Sequence, residues 1–135
     1  MHAEGQIHIR RLGPGDEDVV RALAEDDEPQ TALLDDPATA FVAAFADDEP
    51  IGFAFGYELR RRRGRPTIFF VYEIEVDEAW RGRGIGKRLL AELLRAAANE
   101  AFVLTDHDND AANALYASLG GERRDVVEWD FPATE

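Results

Sequence analysis

Two stretches of this 135-residue chain place side chains where they can do chemistry. The first is Trp80-Arg81-Gly82-Arg83-Gly84-Ile85-Gly86-Lys87-Arg88-Leu89-Leu90, alternate glycines among cations with no acid between them. A turn of this kind, running into a helix, is built for an anion. The first N–H groups of a helix have no partner within it, and the helix dipole adds positive potential there. Gly82, Gly84 and Gly86 permit positive φ and close main-chain approach, and Arg81, Arg83 and Lys87 add charge suited to phosphates. The spacing is neither GxGxxG nor a Walker pattern, which disfavours a Rossmann or P-loop site. A purely structural turn is the plainer alternative. The second stretch is Tyr72-Glu73-Ile74-Glu75-Val76. Period-two geometry sets Phe69, Val71, Glu73 and Glu75 on one strand face, with Tyr72, Ile74 and Val76 on the other. An acid pair at a strand end beside a cationic turn is badly placed for a core. It is well placed to bind a cationic amine or to accept a proton, directly or through water. The competing reading is two solvated carboxylates.

Other candidates carry less. Asp106-His107-Asp108-Asn109-Asp110 resembles a calcium loop, but Ala111 stands where that loop needs Gly and Ala117 where it needs Glu. An Asp-rich entry to a helix explains it more simply, with Asn109 free to cap. With three histidines and no cysteine, no metal site is predicted, and disulfides and cysteine nucleophiles are excluded. Arg60–Arg63 and Arg65 form a basic loop without interleaved aromatics, so it reads as a solvated hairpin end and not a nucleic-acid surface. The formal net charge of −13 argues against nucleic acid or anionic membranes as main partners and favours cationic small molecules or peptides. Acidity kept for solubility alone is the alternative. No apolar run approaches the roughly 18 residues of a membrane span. The N-terminus lacks the plan of a signal peptide, and a cytoplasmic location is expected.

These residues need elements to hold them. Gln6 to Leu12 alternates and reads as a strand. Asp16 can cap a helix bearing Val19, Val20 and Leu23, and Thr31 to Leu34 is a second short helical piece between acidic breaks. Thr39 to Ala46 and Ile51 to Leu59 read as a hairpin about Asp47-Asp48-Glu49-Pro50. Thr67 to Val76 is the clearest strand. Ile85, Leu89, Leu93 and Ala97 recur at helical spacing. Ala101 to Thr105 is a short strand, Asn109 to Leu119 a helix stopped by Gly120-Gly121, and Val126 to Phe131 a final strand. A mixed α/β sheet in one domain, residues 1–135, follows.

Arg81-Gly82-Arg83-Gly84-Ile85-Gly86 resembles the Gln/Arg-x-x-Gly-x-Gly/Ala motif of the GCN5-related N-acetyltransferases (GNAT). Asn109-x-x-Ala112-x-x-Leu115-Tyr116 with Leu119-Gly120 resembles a second motif of that family, although Gly121 stands where an aromatic residue is usual. A narrower likeness, in Phe41-Val42-Ala43, Tyr72 to Val76, Ala114-Leu115-Tyr116 and Val127 to Phe131, is to the type I aminoglycoside 3-N-acetyltransferases, with Glu73 in place of an Asp. The resemblance implies an α/β, GNAT-type, mostly antiparallel sheet of six to seven strands with about four helices. It implies acetyl-CoA as donor, its pyrophosphate on Arg81 to Lys87 and its pantetheine arm on the main chain of Ile74 and Val76. It implies Glu73 as base or substrate ligand and Tyr116 as the acid for the departing thiolate. Asn109 either caps its helix or contacts pantetheine. Glu75, Asp106, Asp108 and Asp110, with the acids at 26–28 and 35–36, would border the cleft of a cationic amine, an aminoglycoside being the favoured acceptor. Peptide or polyamine acetylation, or CoA binding without catalysis, are the rivals. Dimers are frequent in the family, and the last strand can pair across subunits.

Overall fold

In the computed structural model, which describes residues 6–25 and 27–134, strand β2 (Thr39–Ala46) is buried along its whole length. Asp26, counted above among the acids of the cleft, lies outside the described residues. A strand buried on both faces needs cover on each, and the sequence supplies it with two helices. One face of β2 carries Phe41, Ala43 and Phe45, which join Leu12, Val20, Leu34 and Phe55 in a core under helix α1 (Glu17–Leu23). The opposite face lies toward helix α2 (Ile85–Leu94), whose Ile85, Leu89, Leu90 and Leu93 are buried. Burying each such side chain fully contributes roughly 1.5–3 kcal/mol.

The remaining strands are β1 (Ile7–Arg11), β3 (Glu49–Arg60), β4 (Thr67–Val76) and β5 (Ala101–Val103), in the sheet order β1-β2-β3-β4-β5. Pairing is antiparallel except between β4 and β5, which are parallel. Helix α3 (Asp110–Ser118) completes the helices, with short 3-10 turns at Ala32–Asp35 and Glu78–Trp80. The chain divides into two compact units, one ending at Leu104 and one beginning at Thr105. The first holds the sheet, α1 and α2; the second holds α3 and an extended tail.

Several expectations are corrected. Among the described residues the sheet has five strands, not six to seven, and there are three α-helices, not about four. The piece at Ala32–Asp35 closes only one 3-10 turn between its acidic breaks. The stretch from Val126 to Phe131 alternates as a strand should but joins no ladder, and Val127, Trp129 and Phe131 are 78–88% exposed. Asp16 occupies the position before α1 without capping it. Its carboxylate turns back instead to the Arg10 guanidinium (3.0 and 3.2 Å) and the Gly13 N–H (2.9 Å).

Two strand irregularities shape the sheet. Phe45 pairs with Pro50 while Ala44 pairs with Gly52, so Ile51 is an extra residue where proline cannot donate. On β4, Phe55 pairs with Glu73 but Gly56 pairs with Val71, which leaves Tyr72 without an opposite number. A Cβ on Gly56 would lie 2.3 Å from the Phe70 carbonyl oxygen and 2.7 Å from the Phe69 ring. Glycine is therefore required opposite this bulge.

Candidate active site

Strand β4 delivers the chain to a turn that α2 continues. The Asp77 N–H donates to the Ile51 carbonyl at 2.9 Å, the last rung holding β4 to β3. Gly82 (φ 78°) and Gly84 (φ 79°) then adopt left-handed conformations that L side chains resist. A Cβ at either would meet nothing within 4 Å, so the requirement is the dihedral angle and the space above the turn is open. Gly84 sits at the cap of α2 and offers no side chain. The first turn of bonds begins with Arg88 N–H to the Gly84 carbonyl, at 3.1 Å, which leaves the N–H groups of Ile85, Gly86 and Lys87 without helical acceptors. No acid stands in this first turn. The dipole's positive end is uncompensated by the chain itself.

The cations divide their duties. Arg83 lies over the Trp80 ring, 4.7 Å from its centre, and Arg81 Nε donates to the Val76 carbonyl at 2.9 Å. Both guanidiniums are thereby held at the rim of the turn, and Lys87 is exposed on the first helical turn. Arg88 is directed elsewhere, to the Ile7 carbonyl of β1 at 3.3 Å.

Pairing between β4 and β5 ends at Val71 and Val103, so the rest of β4 forms the free edge of the sheet. Main-chain groups alternate in direction along an antiparallel pair. The Asp77 N–H points to β3, hence so do those of Glu75 and Glu73, and the main-chain groups of Ile74 and Val76 face the free edge. The Arg81 contact with the Val76 carbonyl agrees.

The bulge corrects the expected faces. Phe69 and Val71 are buried on the α2 side, opposite Glu58 and Gly56. Glu73 and Glu75 pair with Phe55 and Phe53, so both carboxylates stand on the other face of the sheet. The extra residue shifts the alternation by one, which places Tyr72 and Glu73 on the same side. Tyr72 meets Phe55, Tyr57 and Phe70 at ring-centre distances of 5.4, 5.8 and 5.7 Å. Among these rings the Glu73 carboxyl is raised above its ordinary value near 4.5. Partial burial is the main cause, followed by the charges of Glu75 and Asp27. Such a group accepts protons more readily than a solvated glutamate. Tyr57 and Tyr72 were missed as site residues from the sequence, whereas Asp27 belongs to the acids at 26–28 expected to border the cleft. Gly56 within a strand was the available signal, because an isolated strand glycine marks a bulge or close backbone approach.

In the second unit, Asn109 is the cap of α3, its Oδ1 accepting from the Ala112 N–H at 3.1 Å. Of the two roles left open for it, the structure displays the cap. Asn113 Nδ2 donates to the carbonyls of Asp106, His107 and Asn109, binding the loop to the helix. Asp106, Asp108 and Asp110 are exposed, Asp110 in the first turn where it suits the dipole. His107 is held by Arg123 (2.7 Å) and Asp125 (3.4 Å). Tyr116 is half-buried, and burial raises its hydroxyl above the usual tyrosine value. Gly121 donates its N–H to the Tyr116 carbonyl, and a Cβ there would lie 3.0 Å from that oxygen. Glycine at this position is a matter of close approach.

Residues 9–120 match the acetyltransferase (GNAT) family, and the chain belongs to it. An N-alpha-acetyltransferase, RimI, of Mycobacterium tuberculosis is 47% identical over 75 residues, 53% of this chain and 48% of that protein. An L-2,4-diaminobutyric acid acetyltransferase of Streptomyces anulatus is 36% identical over 95 residues, 67% of this chain and 52% of that protein. The chain thus spans about half the length of these curated relatives. Among solved structures, an aminoglycoside acetyltransferase from an uncultured soil metagenomic sample, in complex with trehalose, has a TM-score of 0.86 at 21% identity, covering 97% of this chain and 99% of that one. That likeness shows the fold. No helix among the described residues is long and apolar enough to cross a membrane.

Proposed function

We propose that this chain transfers an acetyl group from acetyl-CoA to an amine of a cationic small molecule by direct attack, with no acyl-enzyme. One observation carries the reading. An uncapped helix start behind two left-handed glycines adjoins a free strand edge that bears a raised carboxylate. The open space over Gly82 and Gly84, the unpartnered N–H groups of Ile85 to Lys87 and the absence of acid fit a diphosphate. When bound, acetyl-CoA supplies an acyl group activated as a thioester.

The protein's own residues divide the remaining work. The turn from Arg81 to Lys87 holds the phosphates, and the free-edge groups of Ile74 and Val76 hold the pantetheine arm. Positioning the reactants in this way contributes roughly 7–11 kcal/mol to rate enhancement. Glu73 takes a proton from the incoming ammonium and passes it to solvent. The freed nitrogen pair would form the C–N bond as the C–S bond breaks, and the sequence resemblance assigns the proton for the leaving sulfur to the Tyr116 hydroxyl. Tyr116 then regains a proton from the acylated nitrogen. Asp106, Asp108 and Asp110 attract the cationic acceptor, and Asn109 serves first as a cap.

An aminoglycoside is the favoured acceptor, supported by acid on the Glu73 face and by the likeness of fold to an aminoglycoside acetyltransferase. The 3-N position rests on the sequence resemblance of the Tyr72 to Val76 strand and the Val127 to Phe131 tail alone. A peptide N-terminus is the second reading, favoured by the RimI relative. A cytoplasmic, dimeric enzyme of antibiotic resistance is the biological setting this implies. The test is acetyl-CoA turnover against aminoglycosides, a polyamine, a diamino acid and short peptides. Turnover confined to the peptides would replace the first reading with the second, and CoA binding without any turnover would leave a non-catalytic module.

A further inference from the structure

The sheet face that carries Glu73 is lined by aromatic rings to an extent the proton transfer does not require. Phe41 and Phe55 stack at 5.2 Å, Tyr57 meets Phe55 edge-on at 5.7 Å, and Tyr72 touches Phe55, Tyr57 and Phe70 in one cluster. Tyr72 ends this row and is 58% exposed. It is the bulge residue, so the strand has spent its irregularity on bringing this ring to the same side as the carboxylate. In an edge-to-face pair the ring hydrogens of one partner meet the electron-rich face of the other, and Tyr72, at the end of the row, keeps more than half of its surface open to solvent. Carboxylates lie beside the row: after burial and Tyr72, the charges of Asp36 and Glu73 raise the Tyr57 hydroxyl above its ordinary value.

We propose that Tyr72, backed by Tyr57, determines acceptor specificity by holding a second, still protonated ammonium while Glu73 deprotonates the reacting one. Diamines and polyamines are then preferred over monoamines of equal length. The inference rests on the reading that Glu73 marks the acceptor site. The physical basis is the attraction of a cation to an aromatic face, strengthened where carboxylates share the space. Two ammonium groups on one short chain cannot both approach Glu73, and the ring gives the second its own place. A monoamine makes no use of it.

The experiment compares 1,4-diaminobutane with n-butylamine as acceptors for the full chain and for Tyr72→Leu and Tyr72→Phe. Tyr72→Leu is expected to raise KM for the diamine roughly 5- to 30-fold. The monoamine KM and the acetyl-CoA KM stay where they were, kcat changes little, and Tyr72→Phe keeps the diamine preference. An equal effect on both amines, or none on either, overturns the proposal. Should no amine be acetylated, the proposed function itself fails. Calorimetric titration of the diamine into the CoA-saturated protein then decides the ring's role separately: weaker binding to Tyr72→Leu than to the parent supports it, and equal binding overturns it.

Discussion

Two helix starts in this molecule solve the same problem in opposite ways. At α3 the chain closes its own orphan donors, Asn109 accepting from Ala112 and Asp110 supplying negative charge to the dipole. At α2, Gly84 offers no side chain, the first turn has no acid, and Arg81, Arg83 and Lys87 add positive charge instead. Left alone, the second arrangement costs stability, since caps are worth about 1 kcal/mol and like charges near a dipole end are unfavourable. The difference teaches that the α2 start is left open to an anion, which is where the proposed function puts the diphosphate, with Glu73 on the preceding strand.

The region around the α2 start and the strand that leads to it should break hardest. Glu73→Gln is expected to lower kcat about 10²–10⁴-fold with CoA affinity largely intact. The sign of its pH dependence follows from the raised carboxyl. Protonated Glu73 is inactive, so kcat/KM rises with pH through a value above 4.5, and the glutamine variant loses that limb of the pH–rate profile. Gly84→Val forces a branched side chain into a left-handed dihedral that costs about 1–2 kcal/mol; where the free turn relaxes away from it, CoA affinity falls roughly 5- to 30-fold by calorimetry. Lys87→Glu reverses an exposed charge in the first turn and should weaken CoA severalfold at low salt, with the loss shrinking as salt rises. At α3 the balance reverses. Asn109→Ala should cost about 1 kcal/mol in denaturant unfolding. Equal CoA affinity in that variant sharpens the contrast between the two helix starts, whereas a loss as large as that of Gly84→Val would erase it. The smallest effect belongs to Asp16, which is tied to Arg10 and therefore titrates below its ordinary value of 3.8. Its stabilisation is present above that value and is lost as pH falls through the lowered one. Asp16→Ala should cost about 0.5 kcal/mol at neutral pH, once discounted for exposure, and almost nothing in strong acid.

Much of this frame was legible. The Thr39 to Ala46 hairpin arm, the Thr67 to Val76 strand and the Ile85, Leu89, Leu93 stripe follow from period and composition, and each appears where expected. The glycine turn was legible because glycines, which alone permit positive φ freely, and missing acids can be read from the sequence, although Gly82 and Gly84 adopt positive φ and Gly86 does not. The parts that were not legible depend on a partner. The faces of Glu73 and Glu75 depend on Gly56 in another strand, which makes room for the bulge. The Val126 to Phe131 stretch has the pattern of a strand, but pattern cannot supply a neighbour to pair with. Asp16 follows a cap rule locally and was drawn away by Arg10, six residues earlier.

The bulge at Tyr72 has one more consequence. Between Gly56 and Phe55 the strand counts one residue more than its neighbour, so parity along β4 is reset halfway. Deleting that one residue would restore the count and still leave Glu73 on its present side, whereas adding a residue to β4 between Tyr72 and Val76 would turn part of the strand inside out. Length variation in this strand is therefore tolerated at a single point, and that point is Tyr72.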